Sequence, residues 1–79
     1  MTTAEDARML PLGARIRWAR QRAGLSQVRF AEALGTSQRH VVRWEYGQNA
    51  PRPEYRRRIA EVTSQPLSLF KDSDDAEPG

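Results

Sequence analysis

The chain has 79 residues, of which 38% are hydrophobic and 29% charged, and its formal net charge at pH 7 is +3. This length suits one domain with an ordered part of roughly 60 residues and a small core, which leaves no room for a second active site. The chain contains no cysteine and one histidine, so we expect no disulfide, no metal site and no cofactor.

Membrane insertion and export are not expected from this sequence. No apolar run approaches the ~18 residues needed to span a bilayer. The N-terminus lacks the basic and apolar regions of a signal peptide. We therefore expect a cytoplasmic protein without a membrane partner.

The charges are distributed unevenly along the chain. Residues 11–58 contain eleven arginines against three glutamates, a net charge of +8, whereas residues 59–79 carry a net charge of −4. A basic domain of this kind is suited to binding phosphates. An arginine-rich helical surface can also simply face solvent, so the charge alone does not decide the function.

In chain order, residues 1–9 are predicted as a flexible N-terminal arm, and the domain is predicted over residues 10–70. The first helix of this domain is indicated by apolar residues at helical spacing, namely Leu12, Ile16, Ala19 and Ala23. Gly24 ends it.

Two short helices follow, joined by a turn that contains glycine. Ser26 is a good N-cap for a helix over residues 27–34, and Gly35 ends that helix. Thr36 can cap a second helix from about Ser37 to Tyr46, with Val41 and Trp44 on its apolar side and Gly47 after it. This arrangement is a helix-turn-helix, which favours DNA binding.

The last helices are predicted downstream of Pro53. This proline suits a first helical position, and Tyr55, Ile59 and Val62 share one helical face. Residues 66–70 can form a final short helical turn. No alternating pattern indicates a strand, so we predict an all-α, compact five-helix domain. The acidic residues 71–79 are predicted as a disordered tail, which by hypothesis competes with DNA for the basic surface.

Four segments resemble one known family. They are ARIRWARQRAGLSQ, AEALGTS, VVRWEYG, and the turn from Asn49 to Pro51. Over Leu12 to Phe70 the chain resembles the lambda-repressor-like DNA-binding domains, the Cro/repressor or xenobiotic-response-element type of helix-turn-helix. The resemblance implies a five-helix domain whose second short helix reads DNA.

Four residues are candidates for reading bases. With Thr36 as the cap, Gln38 and Arg39 lie in the first turn of the reading helix, and Val42 and Arg43 lie one turn further along the same side. Glutamine suits adenine, arginine suits guanine, and valine can contact a thymine methyl group. Either arginine could contact a phosphate instead.

Other residues are candidates for binding phosphates. The resemblance implies that Gln27 binds a DNA phosphate at the N-terminus of its helix, although it could be merely a solvent-exposed polar residue. The other candidates are Ser26, Arg29, Ser37, His40, Gln48, Asn49 and Arg52. Among them Ser26 is first of all a cap, and Ser37 and His40 are better explained as neighbours of the DNA backbone than as base readers.

The chain departs from the family pattern at several positions. Arg29 stands where a glutamate usually completes a capping box, which can indicate a nearby phosphate. The run Arg56, Arg57 and Arg58 is either a second phosphate contact or a solvated face, and the family usually has an apolar residue at the first of these positions. Trp18 lies at a usually polar position, which suggests local packing or a protein contact.

The resemblance also implies a partly buried ion pair between Arg20 and Glu45, which would tie the first helix to the reading helix. One reading helix covers about half a site, so we expect a homodimer, at least on DNA. The candidate dimer surface is Leu67, Leu69 and Phe70, of which at least one, Leu67 or Phe70, is expected to pack into the core.

The sequence thus predicts a sequence-specific double-stranded DNA-binding transcriptional regulator, a Cro-like repressor on a two-fold operator, located in the cytoplasm with the nucleoid. The alternative is an antitoxin-type protein that binds a toxin partner and regulates its own operon. No nucleophile–base pair, carboxylate dyad or phosphate-binding glycine loop suggests an enzyme.

Overall fold

Local sequence signals define the helix boundaries in the computed structural model, which describes residues 3–71. In chain order these residues form α1 (Ala4–Ala7), α2 (Leu12–Arg22), α3 (Gln27–Leu34), α4 (Gln38–Glu45), α5 (Pro53–Thr63) and a 3-10 helix (Leu67–Phe70). No strand occurs among the described residues, and the predicted all-α class is confirmed. One of the five α-helices, α1, was not predicted, and the last predicted helix is the 3-10 helix. None of these helices is both long and apolar enough to cross a membrane.

Serine hydroxyls cap the two central helices. Ser26 Oγ accepts a hydrogen bond of 3.1 Å from the backbone N–H three residues on, so α3 begins where predicted. Ser37 Oγ makes the equivalent contact of 3.3 Å and caps α4. The prediction that Thr36 caps this helix is wrong, because the Thr36 N–H donates to the Ala31 carbonyl, 3.0 Å away, and so belongs to the end of α3.

The N-terminal segment is folded where a flexible arm was predicted. Thr3 and Asp6 form a reciprocal capping box at the start of α1, and Ala7 is fully buried. Arg8 Nη2 donates to Ser68 Oγ at 3.1 Å, which links this segment to the 3-10 helix. Residues 3–8 therefore lie against the domain. At the other end, the predicted tail lies outside the described residues except for Lys71.

The core is formed by α2, α3, α4, α5 and the 3-10 helix, to which α1 adds Ala7. Its largest fully buried side chains are Phe30, Phe70, Ile16, Leu34, Ile59, Leu69 and Val41. Trp18 is half-buried and packs against this core, and the Arg22 guanidinium lies 5.6 Å from the centre of its ring. Both contacts support the interpretation that Trp18 packs within the domain.

The candidate dimer surface is largely inside the domain. Leu69 and Phe70 are fully buried within one copy of the chain, and only Leu67 is half-exposed. Arg15 contributes to this burial, since it donates to the carbonyls of Leu10 (2.8 Å) and Leu69 (2.9 Å) and so holds the 3-10 helix against the start of α2. In this conformation Leu69 and Phe70 are not available to a second copy, which corrects that part of the prediction.

The three consecutive arginines of α5 have three different environments. Arg56 is only 8% exposed, and its Nε donates to the Pro51 carbonyl at 2.8 Å. Arg57 and Arg58 are both exposed, but Arg58 also donates to the last carbonyl of α3 at 3.1 Å. Arg56 is therefore a structural residue, so neither alternative raised for the run, a phosphate contact or a solvated face, applies to it.

Candidate nucleic-acid interface

A turn of three residues joins α3 to α4. Gly35 adopts φ +75°, a left-handed conformation that costs glycine little and other residues more. Thr36 and Ser37 complete the turn, after which α4 packs against α2 and α3. The predicted helix-turn-helix geometry is therefore present.

Helix α4, for which base reading was predicted and which is called the reading helix below, has an apolar inner side and a polar outer side. Val41 is fully buried, and Trp44 is nearly so. On the outer side, Gln38 and Arg39 are exposed, while Val42 and Arg43 are partly exposed. These four residues share one side of the helix because they are spaced at i, i+1, i+4 and i+5. The structure therefore brings together all four predicted base-reading residues.

The C-terminal end of α4 is tied to α2 by an ion pair. Arg20 Nε lies 2.6 Å from Glu45 Oε2, and Arg20 Nη2 donates to Glu45 Oε1 at 3.1 Å. The two side chains are only 11% and 3% exposed, and Arg20 Nη1 also donates to the Leu25 carbonyl at 2.9 Å. Two parallel charge-assisted hydrogen bonds define both the distance between the two side chains and their relative orientation. The pair implied by the resemblance is thus formed, and it positions the reading helix.

Gln27 connects this ion pair to the outer side of α4. Its Nε2 donates to Glu45 Oε1 at 3.3 Å, and its Oε1 accepts from Gln38 Nε2 at 3.4 Å. Gln27 is half-buried, which differs from the solvent-exposed alternative considered for it. Since an amide has two N–H groups, the second N–H is compatible with a phosphate contact. The contact with Gln38 also orients the first residue of the reading helix.

His40 lies on the flank of α4, away from Gln38 and Val42. Its Nδ1 is 2.7 Å from Thr36 Oγ1, and its ring stacks on Trp44 with a centroid separation of 6.3 Å and an interplanar angle of 13°. The imidazole is exposed, so its other nitrogen is accessible to a ligand. These contacts hold the ring at the edge of a cleft beside the reading helix.

That cleft brings together three of the predicted phosphate-binding residues. It has a volume of about 370 Å³ and is lined by His40, Trp44, Asn49, Ala50, Arg52, Glu54 and Tyr55. His40, Asn49 and Arg52 supply hydrogen-bond donors, whereas the carboxylate of Glu54 disfavours an anion next to it.

The remaining phosphate candidates lie on three segments. Ser26 and Arg29 are exposed at the N-terminus of α3, where Ser26 acts as the cap. The Ser37 hydroxyl is occupied as the cap of α4. Gln48 is exposed, and its backbone N–H donates to the Arg43 carbonyl at 2.9 Å. The candidates are therefore spread over the α3 N-terminus, the turn and the segment after α4.

Two residues of this region were missed by the sequence analysis. Gly13 is buried in α2, and a Cβ built on it would meet the carbonyl oxygen of Trp44 and lie 2.7 Å from that of Glu45. A glycine within a helical pattern was the available signal, because it is costly there unless a backbone comes close. Tyr46 is 71% exposed and follows Val42 by four positions, so helical spacing could have assigned it to the reading side.

Comparison with known families agrees with this geometry. The model of the helix-turn-helix family matches residues 16–70, a range that contains both helices of the unit, the Arg20–Glu45 pair and the 3-10 helix. No curated protein and no solved structure matches the chain. Because the family match covers more than half of the sequence, the chain belongs to the lambda-repressor-like helix-turn-helix family, whose domains serve DNA-binding transcriptional regulators.

Proposed function

We propose that this protein is a sequence-specific repressor that binds double-stranded DNA operators as a Cro-like homodimer and so excludes other proteins from a promoter. The observation that carries the proposal is the outer side of α4, where Gln38, Arg39, Val42 and Arg43 are accessible while Val41 and Trp44 anchor the helix in the core. An α-helix fits the major groove of B-DNA, where base edges differ in their donors and acceptors.

Base reading is assigned to these four side chains. Gln38 is oriented by Gln27 and suits the donor and acceptor pattern of adenine. Arg39 and Arg43 suit guanine, and Val42 suits a thymine methyl group. The exposed Tyr46 extends the same side toward the C-terminal end of the helix and is added to the proposed contact surface.

Phosphate binding is assigned to the residues around the reading helix. Ser26, Gln27 and Arg29 surround the N-terminus of α3, whose free N–H groups favour an anion. His40, Asn49 and Arg52 surround the cleft on the other side. Gln48 lies in the sequence between the C-terminal end of α4 and Asn49. Two groups of donors on either side of a reading helix are suited to fixing its register on a duplex.

The homodimer is proposed from the energetics of binding. An eight-residue helix is about 12 Å long and reads a few base pairs, so one copy binds with modest affinity and selectivity. Of the residues first proposed for the dimer surface, Leu67 remains accessible. Met9, which is 86% exposed, follows Arg8, whose hydrogen bond to Ser68 brings this end of α1 to the 3-10 helix. Met9 and Leu67 are therefore our candidates for the contact between copies.

The proposal is tested by selecting bound sequences from random DNA, followed by binding to the selected duplex at several salt concentrations. We expect a two-fold motif, a stoichiometry of two chains per site and an affinity that falls steeply with salt. Arg39→Ala should relax the preference at one base pair, at a cost of about 1–3 kcal/mol. Failure to enrich any sequence would reject the proposal.

Arg57→Ala is the matched control for Arg39→Ala. Arg57 is also an exposed arginine, but it lies on α5 outside the proposed reading surface, so its loss should leave the selected motif unchanged. Purification from the cells that make the protein distinguishes the antitoxin-type alternative, which requires a stable complex with a second protein.

A further inference from the structure

Residues of α5 contact both helices of the helix-turn-helix unit. Arg58 reaches the end of α3, and Tyr55, one turn earlier on α5, reaches the inner side of α4. Neither residue belongs to the reading surface or to the phosphate donors assigned above. Their contacts nevertheless lie on each side of the turn that sets the angle between α3 and α4.

The side chain of Arg58 lies against the C-terminal end of α3. Its Nη1 donates to the Leu34 carbonyl at 3.1 Å, and a Cβ built on Gly35 would lie 3.6 Å from the same nitrogen. The last carbonyls of a helix lack partners within the helix and carry partial negative charge, so a guanidinium is favourable there. Arg58 thus lies across the turn and binds the last residue before it.

A run of ring contacts leads from Arg58 to α4. The Arg58 Cζ lies 5.3 Å from the Tyr55 ring centre, and the Tyr55 and Trp44 rings are 5.5 Å apart at 47°. Trp44 in turn stacks on His40. One arginine therefore contacts the end of α3 directly and the core side of α4 through Tyr55.

We infer that Arg58 is a positioning residue for the reading helix, and this inference rests on the proposed function. Phosphate donors lie at the start of α3 and base-reading side chains on α4, so a duplex can satisfy both only if the two helices keep their relative position. Arg58 links the end of α3 to the core side of α4. It thereby keeps the phosphate donors and the base-reading side chains at a fixed relative position. Its guanidinium donates to the end of α3 and lies against the Tyr55 ring, and because the residue is also exposed, the salt dependence of binding is what separates this role from a phosphate contact.

The test compares Arg58→Met with the neighbouring control Arg57→Met, since both remove one cation from α5. Affinity is measured for a selected operator and for a random duplex between low and high salt. Arg58→Met should reduce the ratio of specific to non-specific affinity about fivefold, because the lost contact is comparable to an exposed cation–π interaction. The salt slopes of Arg58→Met and Arg57→Met should be equal. Arg58→Lys, which retains a donor but not the planar stack, should recover part of the ratio.

A second measurement detects the contact without DNA. In NMR spectra of the free protein, Arg58→Met should shift the Gly35 amide and the Trp44 indole signal, whereas Arg57→Met should not. An unfolding curve for each variant verifies that it is folded under the conditions of the binding measurements. A salt slope lower by about one for Arg58→Met than for its control would show a phosphate contact and overturn the inference. An unchanged affinity ratio would also overturn it.

The outcomes separate this inference from the proposed function. If the unmodified protein shows no sequence preference, the proposed function is rejected and the positioning role is rejected with it. If the unmodified protein selects an operator and Arg58→Met retains the full affinity ratio, only the positioning role is rejected.

Discussion

Replacing Glu45 with glutamine should destabilise the domain strongly. Glu45 accepts two hydrogen bonds from Arg20 and one from Gln27, and its side chain is only 3% exposed. Glutamine has nearly the same shape but no negative charge, and it presents N–H groups where the carboxylate accepted a hydrogen bond. The change therefore leaves the Arg20 guanidinium largely buried without its counter-charge.

The size of this effect follows from the burial of both partners. Breaking a buried pair by removing one charge costs about 3–5 kcal/mol. The Arg20 side chain is 11% exposed and keeps its hydrogen bond to the Leu25 carbonyl, so the low end, about 3 kcal/mol, applies. For a domain of this size such a loss lowers Tm by roughly 12–24 °C.

This loss is measured by urea unfolding with tryptophan fluorescence as the signal. Circular dichroism on heating gives the Tm. A double-mutant cycle uses Arg20→Met, Glu45→Leu and the variant that carries both substitutions, which replaces both charges by apolar groups. The combined variant should be more stable than the sum of the two single losses predicts, because neither charge is then left unpaired. A loss below about 0.5 kcal/mol for Glu45→Gln, the level of an ordinary surface substitution, would refute the reasoning.

Three further predictions concern packing, capping and the tail. Gly13→Ala should weaken the contact between α2 and α4 and lower the urea midpoint, since the added Cβ meets two backbone carbonyls; an unchanged midpoint would contradict this close approach. Ser37→Ala should cost about 1 kcal/mol of unfolding free energy, whereas Thr36→Ala, which removes a hydroxyl that does not cap α4, should cost less; the reverse order in a urea titration would contradict the assignment of the cap. Removing residues 72–79 takes away four acidic side chains and should raise affinity for random DNA at low salt, and an unchanged affinity and salt slope would reject competition by this segment.

Much of the fold could be predicted because its helix ends are encoded locally. Ser26 and Gly35 define α3 by side-chain capping and by a left-handed backbone, and both effects depend on neighbours in the sequence. The choice between Thr36 and Ser37 as the next cap could not be made in this way. Both residues have a hydroxyl, and the choice depends on the hydrogen bond that closes the preceding helix.

Two of the errors concern features that depend on distant parts of the chain. Leu69 accepts a hydrogen bond from Arg15 of α2, and Arg56 donates to the Phe70 carbonyl of the 3-10 helix at 3.4 Å, and no local pattern reveals either contact. The four residues of α1 are too few to show helical periodicity, although Thr3 and Asp6 carried a capping signal. The reading side of α4, in contrast, follows from the spacing of Val41 and Trp44 alone, because a helix with one buried side must expose the other.

The close approach at Gly13 has a consequence for how this domain can change. Main-chain atoms of α2 and α4 meet there without an intervening side chain, and the second connection between these helices, the Arg20–Glu45 pair, also lies away from the outer side of α4. Neither connection uses the side chains of Arg39, Val42 or Arg43, so the position of α4 does not depend on these three residues. Under the proposed function, exchanging them should redirect the domain to other operators while the backbone stays in place, which makes this small scaffold suitable for reprogramming its DNA specificity.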